Sequence, residues 1–261
     1  MINVAKNKKY LKNYESVSEE IKYLTNSVVR LKILASLYEK PKNMKDVNSI
    51  TGLSYSSISS NMHVLELKGH IYRKSNKYFL SDSVKLKIEN IMEFKQVIDL
   101  LKDFFNILDK HLVGMIPIES VAELYLLGKA NLIEADEVDA YRMYNYIENS
   151  LTIANDVKCV LPFYYENFNK KLNKIVKNGG DVEAIVSHKA LSIFDEKSRI
   201  KKLSTFKGNH NFLLICTDDM MILGLFKENG YFDQNRLLTS KNPNSIKWAE
   251  NLFENFKKLN K

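Results

Sequence analysis

The stretch from Met44 to Leu80 leaves this chain the fewest folds, because its helix stops, starts and turns fall at fixed places. "KNMKDVNSI" is predicted to be a short helix that ends at Thr51-Gly52. A second helix is predicted from Leu53-Ser54 onward, with Ser54 as its N-cap, since a serine oxygen there accepts from first-turn amides. Gly69 stands just past its end, where a left-handed residue closes a helix without steric cost. "HIYRKSNKYFLS" then reads as two short β segments around Ser75-Asn76, a hairpin signal. Upstream, Val28, Leu31, Ile33, Leu34, Leu37 and Tyr38 recur near the 3.6-residue period in "EEIKYLTNSVVRLKILASLYEKP", a helix closed by Pro41. The whole chain has 9 Gly and 4 Pro, so each of these breakers carries weight.

Helix, helix, turn, helix, hairpin is the order of a winged helix-turn-helix. In that motif the second helix enters the major groove and the hairpin grips backbone or minor groove. The predicted reading helix opens on Ser54, Ser56, Ser57, Ser59 and Ser60, although serine is a mediocre helix former. The helical period explains the cluster. Ile58, Met62 and Leu65 form one stripe that can pack inward, while Ser56, Ser60 and His63 form the opposite stripe, flanked by Ser57 and Ser59. Short hydroxyl side chains let a helix approach DNA closely and bond phosphate oxygens or base edges. The amides of the helix N-terminus add their own attraction for anions. Tyr55, in the first turn, is placed to reach a phosphate or a thymine methyl, and Arg73, Lys74 and Lys77 surround the hairpin tip where a wing meets phosphates. His70, at the hairpin start, reads as structural.

The formal net charge is +8, and it is unevenly spread. Residues 1–82 hold 14 Lys+Arg against 7 Asp+Glu, whereas residues 83–261 hold 25 against 24. A basic first third suits phosphate binding, and equally a solvated lysine-rich surface, so charge alone does not decide. No apolar run approaches the roughly 18 residues of a membrane span. The opening "MINVAKNKKYLKNY" lacks the apolar region of a signal peptide. A cytoplasmic location without a membrane partner is therefore expected. Cys159 and Cys216 stand alone without CxxC spacing and are expected to be buried thiols, with no metal site.

From Ser83 to about Leu112 runs one amphipathic stretch with Leu86, Ile91, Phe94, Ile98, Leu101, Phe105 and Leu108 at its apolar positions. A helix of that length, about 45 Å, suits a connector between domains or a dimer seam; two helices broken by a bend are the alternative. The rest looks mixed α/β. Helices are predicted in "IESVAELYLLGKA" and "ADEVDAYRMYNYIENSLTIAN", then a strand in "VKCVLPF", a helix in "YENFNKKLNKIVKNGG" and a strand in "VEAIVS", an order that suggests parallel strands with a crossover. "HNFLLICTDDMMILGLF" reads as a hairpin turning at Asp218-Asp219, and "NPNSIKWAENLFENFKKLNK" as a terminal helix capped by Asn242 or Asn244. The expected fold class is α+β. A winged helix-turn-helix covers residues 1–82, a connector or dimerisation helix 83–112, and a mixed α/β sensor-like or dimerisation domain 113–261.

The core "LS-x-S-x-x-S-x-x-[LM]-x-x-L-E-x-x-G-x-I" is carried here by Leu53, Ser54, Ser56, Ser59, Met62, Leu65, Glu66, Gly69 and Ile71. In this it resembles the archaeal winged-helix regulators related to the arsenic-repressor and multiple-antibiotic-resistance (ArsR/MarR-like) families. His70 departs from the apolar residue usual there, and the metal-sensing cysteine box is missing, so metal sensing is not implied. "HLVGMIPIESVAELYLLGKANLIEAD", "VKCVLPFYYENF", "MMILGLFKENGYFDQNRLLTS" and "SIKWAENLFENF" are similar to the Fil-type methanogenesis regulators of archaea. The resemblance implies an archaeal transcriptional regulator with an N-terminal reader and a middle and C-terminal region that receives a signal. The segment between Ser187 and Phe212 is short and divergent against that pattern.

A signal-receiving domain needs an enclosed site with a few polar groups. His111, Arg142, Tyr144, Tyr165 and Trp248 are the effector candidates, with Tyr141, Tyr164, Tyr231 and His188 behind them. Each has a plainer reading: aromatics as core, histidines as satisfied structural groups, Arg142 as one half of an ion pair. An enzyme has to be weighed because "VSHKALSIFDEK" follows a strand. Phospholipase-D-like phosphodiesterases use H-x-K-x4-D, but His188 and Lys189 are adjacent here and Asp195 lies six residues on. A one-residue slip on a strand turns a side chain to the other face. No GxSxG, P-loop, HExxH or GxGxxG occurs either. The expectation is a homodimeric reader of double-stranded DNA without a cofactor, with a small-molecule effector as candidate partner. A non-DNA-binding interaction protein and a phosphodiesterase are the alternatives.

Overall fold

Local capping chemistry sets where the first helices begin and end. The computed structural model describes residues 22–108, 110–208 and 212–260; residues 1–21, which the sequence assigns to the reader domain, lie outside the described residues. Two compact units are present, Met1–Glu93 and Phe94–Lys261. In the first, α1 (Val28–Tyr38) starts at Ser27, whose oxygen accepts from the Arg30 amide at 3.2 Å. That cap divides the single helix expected from Glu19 to Tyr38, and residues 22–25 belong to a separate helical turn. Helix α2 (Met44–Thr51) has a reciprocal capping box between Asn43 and Asp46 and stops at Gly52, φ +68°. Helix α3 (Tyr55–Leu67) is capped by Ser54, which accepts from the Ser57 amide at 3.3 Å. At its other end Gly69 has φ +67° and the His70 amide donates to the Leu65 carbonyl at 2.9 Å, a Schellman closure.

Strands β1 (Ile71–Lys74) and β2 (Lys77–Leu80) pair antiparallel. Ser75 (φ +48°) and Asn76 (φ +61°) form the turn, both left-handed, which matches the twist of a two-residue hairpin. Lys42 adds a third short strand position, exchanging backbone bonds with Tyr78 at 3.3 and 2.8 Å. Its side chain is buried and its ammonium donates to the Ser36 carbonyl in the last turn of α1, where a cation meets the negative helix end. Ile33, Leu34, Val47, Ile58, Met62, Leu65, Ile71, Val84 and Ile88 fill the core of this unit.

Helix α4 (Asp82–Asp103) has 22 residues. The thirty-residue helix expected over 83–112 is therefore shortened: a turn at Phe104 and a brief α5 (Phe105–Leu108) follow. The reason lies downstream. Lys110 to Leu112 pair in extended form with Phe226 to Glu228, the Leu112 amide donating to Phe226 at 2.7 Å, and extended pairing excludes helix there. The unit boundary at Glu93 falls inside α4 rather than before it.

The C-terminal unit is built on one seven-stranded sheet, with strands β3 (Asn131–Glu134), β4 (Val157–Leu161), β5 (Val182–Ser187), β6 (Lys202–Phe206), β7 (Phe212–Thr217), β8 (Met221–Leu225) and β9 (Arg236–Ser240). Their order is β3-β9-β8-β7-β4-β5-β6. Strands β4, β5 and β6 are parallel and the other pairings antiparallel. The parallel crossovers run through α8 (Glu166–Lys177) and α9 (Leu191–Lys197), and the hairpin at Asp218-Asp219 forms as predicted. Alternation along each strand divides the side chains between two faces. Val160, Ile185, Leu214, Leu223 and Leu238 meet Trp248, Leu252 and Phe253 of α10 (Pro243–Leu259), capped by Asn242. Cys159, Ala184, Ile215, Ile222 and Leu237 meet α8 and α7 (Arg142–Ile153). The fold is α+β. Helix α6 (Ile118–Ala122) is only five residues long, and residues 135–141, expected to be helical, are not.

Gly179 (φ +90°) and Gly180 end α8. The Gly180 amide donates to the Ile175 carbonyl at 3.0 Å, and a Cβ at Gly180 would lie 2.2 Å from the Asn155 carbonyl oxygen. The second glycine is required by close approach, the first by backbone conformation.

Candidate nucleic-acid interface

The core stripe of α3 (Ile58, Met62, Leu65) is fully buried, which turns the opposite side of the helix to solvent. Tyr55, Ser56, Ser59, Ser60 and His63 are exposed there. Ser57 is half-buried, so it belongs to the flank and not to the front. The hydroxyls are already oriented. Ser56 shares a hydrogen bond with the capping Ser54 at 3.1 Å, and Ser60 donates back to the Ser57 carbonyl at 3.2 Å. Two residues that sequence reasoning passed over complete this surface. Leu67 is 74% exposed and Val64 41%, and Leu67 continues the line Ser56, Ser60, His63 at helical spacing. The spacing itself could have revealed them.

The hairpin presents Arg73, Lys74 and Lys77, all exposed, with Lys74 and Lys77 opposite each other in register. Arg73 is held: its guanidinium donates to the Asn76 side-chain oxygen at 2.7 Å and lies 5.6 Å from the Tyr78 ring centroid. Behind the helix, Tyr23 carries Arg30 and Lys68 against its ring, each 4.1 Å from the centroid, and packs against His70 with ring centroids 5.3 Å apart and planes tilted by 35°. This explains the histidine at position 70. It acts as an aromatic packing partner for Tyr23, which an aliphatic residue would not match.

In the C-terminal unit the five effector candidates do not converge. Trp248 is a core side chain with no exposure, its indole donating to the Ser120 carbonyl at 2.8 Å. His111 is buried in a clamp, its Nε2 2.9 Å from Asp233 Oδ2, with a second Asp233 oxygen accepting from the Asn235 amide at 3.0 Å. Burial would raise the Asp233 carboxyl, but the Asn235 amide, His111 and Lys227 together hold it below the usual carboxylate value. An ionised carboxylate only accepts, so the imidazole Nε2–H is the donor. The Trp248 and His111 side chains both lie in the interior, and the Nδ1 of His111 is buried without a hydrogen-bond partner among the described residues. Arg142 is exposed and paired with Asp136 at 3.2 Å. The amides of Asp139 and Val138, and then Arg142, hold that carboxyl below its usual value. Tyr144 and Tyr165 do meet, with ring centroids 4.8 Å apart and Phe168 alongside. Burial, and next the neighbouring Tyr165, raises the Tyr144 phenol.

Neither cysteine is placed to react. Burial pushes both thiols up to about 12. A water-soluble disulfide reagent at pH 8 is expected to label neither in the folded protein and both after unfolding; fast labelling of either in the native state would contradict their burial. His188 is exposed at the start of a short 3-10 turn after β5, and Asp195 lies on α9. Among the described residues no group of three His, Cys, Asp or Glu is arranged to hold a metal ion, and no described helix is long and apolar enough to cross a membrane.

Residues 18–100 match the N-terminal domain of the methanogenesis regulatory protein FilR1, and residues 140–259 match its middle domain. The chain belongs to the FilR1 family. Within it, α3 and the β1–β2 hairpin fall in the N-terminal FilR1 domain, and Tyr144 and Tyr165 in the middle one. The methanogenesis regulatory protein FilR1 of Methanothrix harundinacea (strain 6Ac) is 20% identical over an alignment of 253 residues, gaps included, that covers 90% of this chain and 56% of that protein. The chain thus spans little more than half the length of this FilR1 relative. Among solved structures, TrmBL2, described as an archaeal chromatin protein with a novel mode of DNA binding, is similar over 92% of this chain and 96% of its own, at 12% identity and TM-score 0.40. Nuc, a phospholipase D family member from Salmonella typhimurium, is similar over 49% of this chain and 94% of its own, at 13% identity and TM-score 0.37.

Proposed function

We propose that this chain is a sequence-specific regulator of transcription that binds double-stranded DNA through residues 22–80. The observation that carries the reading is the exposed line Ser56, Ser60 and His63 on a capped helix, followed by a hairpin bearing Arg73, Lys74 and Lys77. The helix N-terminus and its hydroxyls suit base edges and phosphates, and the hairpin cations suit the backbone. The protein acts in the cytoplasm as a homodimer without catalytic activity. Exposed Phe94, Ile98 and Leu101 on α4, at four- and three-residue spacing, support self-association along that helix. A dimer would present two reading helices about 34 Å apart, one turn of DNA. The C-terminal unit receives the signal, with Tyr144, Tyr165 and Arg142 as the remaining contact candidates, and acts by favouring one spacing of the reading helices.

Selection from random duplexes at fixed salt tests this reading. Two half-sites about one turn apart are expected. Arg73→Ala is expected to weaken all duplexes alike, by about fivefold, as loss of a phosphate contact does. Ser60→Ala and His63→Ala are expected to change sequence preference instead. No enriched sequence would overturn specific regulation, and a lone half-site would overturn the dimer. Equal losses on every duplex from the helix variants would mean that another face reads the DNA.

A further inference from the structure

We infer that the reading helix selects A·T base pairs by packing apolar side chains on thymine methyl groups. This rests on the DNA-binding reading above and adds the class of sequence recognised. The argument begins with what α3 lacks. Its thirteen residues, YSSISSNMHVLEL, include no Arg, Lys or Gln. Guanine is most often recognised in the major groove by Arg or Lys on O6 and N7, and adenine by the paired bonds of Asn or Gln. Asn61, the one amide in the helix, is half-buried and spends its NH2 on the Ser57 carbonyl at 2.9 Å. Glu66 is exposed on the flank opposite Val64, at a similar angle from the outward line; its carboxylate is repelled by phosphates and fits only the cytosine amino group.

What remains on the outward line is Ser56, Ser60, His63 and Leu67, with Val64 beside them. Ser60 and His63 sense which strand carries the purine, a hydroxyl or a single imidazole nitrogen reaching N7 of either one, so they set a preference without separating adenine from guanine. The groups that separate A·T from G·C are therefore the apolar ones. Leu67 and Val64 stand free of the core, and the thymine 5-methyl is the apolar feature of the major-groove edge.

The test uses the full chain and the best duplex from random selection, at one stated salt. The selected sequence is expected to be A·T-rich beneath the helix. Replacing a contacted thymine by deoxyuridine, which removes only the methyl, is expected to weaken binding about fourfold, the equivalent of one buried methylene. Leu67→Ala or Val64→Ala should abolish that difference while retaining most affinity for the deoxyuridine duplex. Both positions are exposed, so circular dichroism should show intact folding. A G·C-centred selection, or equal binding of the two duplexes by the unmodified protein, overturns the inference and leaves DNA binding standing. Absence of any duplex binding overturns both.

Discussion

Gly180→Ala is expected to destabilise the C-terminal unit by about 3 kcal/mol, lowering its midpoint by roughly 6–12 °C. The added methyl would sit 2.2 Å from the Asn155 carbonyl oxygen and 2.6 Å from the Ile175 methyl. The oxygen belongs to the backbone immediately before β4, where the Asp181 carbonyl receives the Val157 amide at 2.8 Å. Relief therefore requires the end of α8 to move away from the segment that leads into β4. The neighbouring Gly179→Ala provides the contrast. Nothing lies within 4 Å of its Cβ position, and its cost is the left-handed backbone alone, about 1–2 kcal/mol. Thermal denaturation of the two variants separates close approach from backbone conformation. A larger loss at Gly179 would refute the packing account.

Asp233→Ala is expected to cost about 3–5 kcal/mol, in the range for breaking a buried charged set by removing one partner. The substitution leaves the buried His111 Nε2–H without its acceptor and the Asn235 amide without its side-chain partner. It also removes the anion facing Lys227 at 3.6 Å and Arg236 at 3.9 Å. The pH dependence follows from the lowered carboxyl value. A carboxyl whose folded pKa lies below its unfolded one stabilises the fold above the ordinary value of 3.8, and that contribution is lost as pH falls through the folded value. Denaturant titrations should therefore show the gap between the two proteins wide at neutral pH and narrowing below about pH 4. A gap that is constant with pH would mean that shape, not charge, is what Asp233 supplies.

Those two positions differ in how visible they are in the sequence. Gly179-Gly180 was legible as a helix stop, but nothing local distinguishes the glycine needed for its dihedral from the one needed for its missing side chain. Asp233 and His111 are 122 residues apart, and such pairs become visible only when the strands are assembled. The reader domain was more legible, because its determinants are local. Ser54, Gly52, Gly69 and Ser75-Asn76 act within a few residues of themselves, and each does in the structure what its position implies. The third strand position at Lys42 was not legible, since one residue sets no period. In the C-terminal unit, β4, α8, β5 and the β7–β8 hairpin were read correctly from apolar runs and turn residues. Strands β3 (NLIE), β6 (KLSTF) and β9 (RLLTS) hold at most two consecutive apolar residues, whereas the strands that were read each carry three or more, so no apolar run marks them against neighbouring loops. The aromatic candidates were legible as residues but not as roles, because a buried tryptophan and a ligand-facing one share the same local sequence.

The strand order also bears on solubility. An open sheet offers unpaired backbone groups at its two outer strands, and a flat apolar edge recruits further strands from other molecules. Here the outer positions are held by β3 and β6, the more exposed members of the sheet. Each carries a charge tethered to a neighbour: Glu134 to Arg236 on one side, Lys202 to Asp181 on the other. A foreign strand would gain only four or five residues of pairing there, beside charged side chains. Short, charged margins in place of long apolar ones disfavour the addition of a further strand.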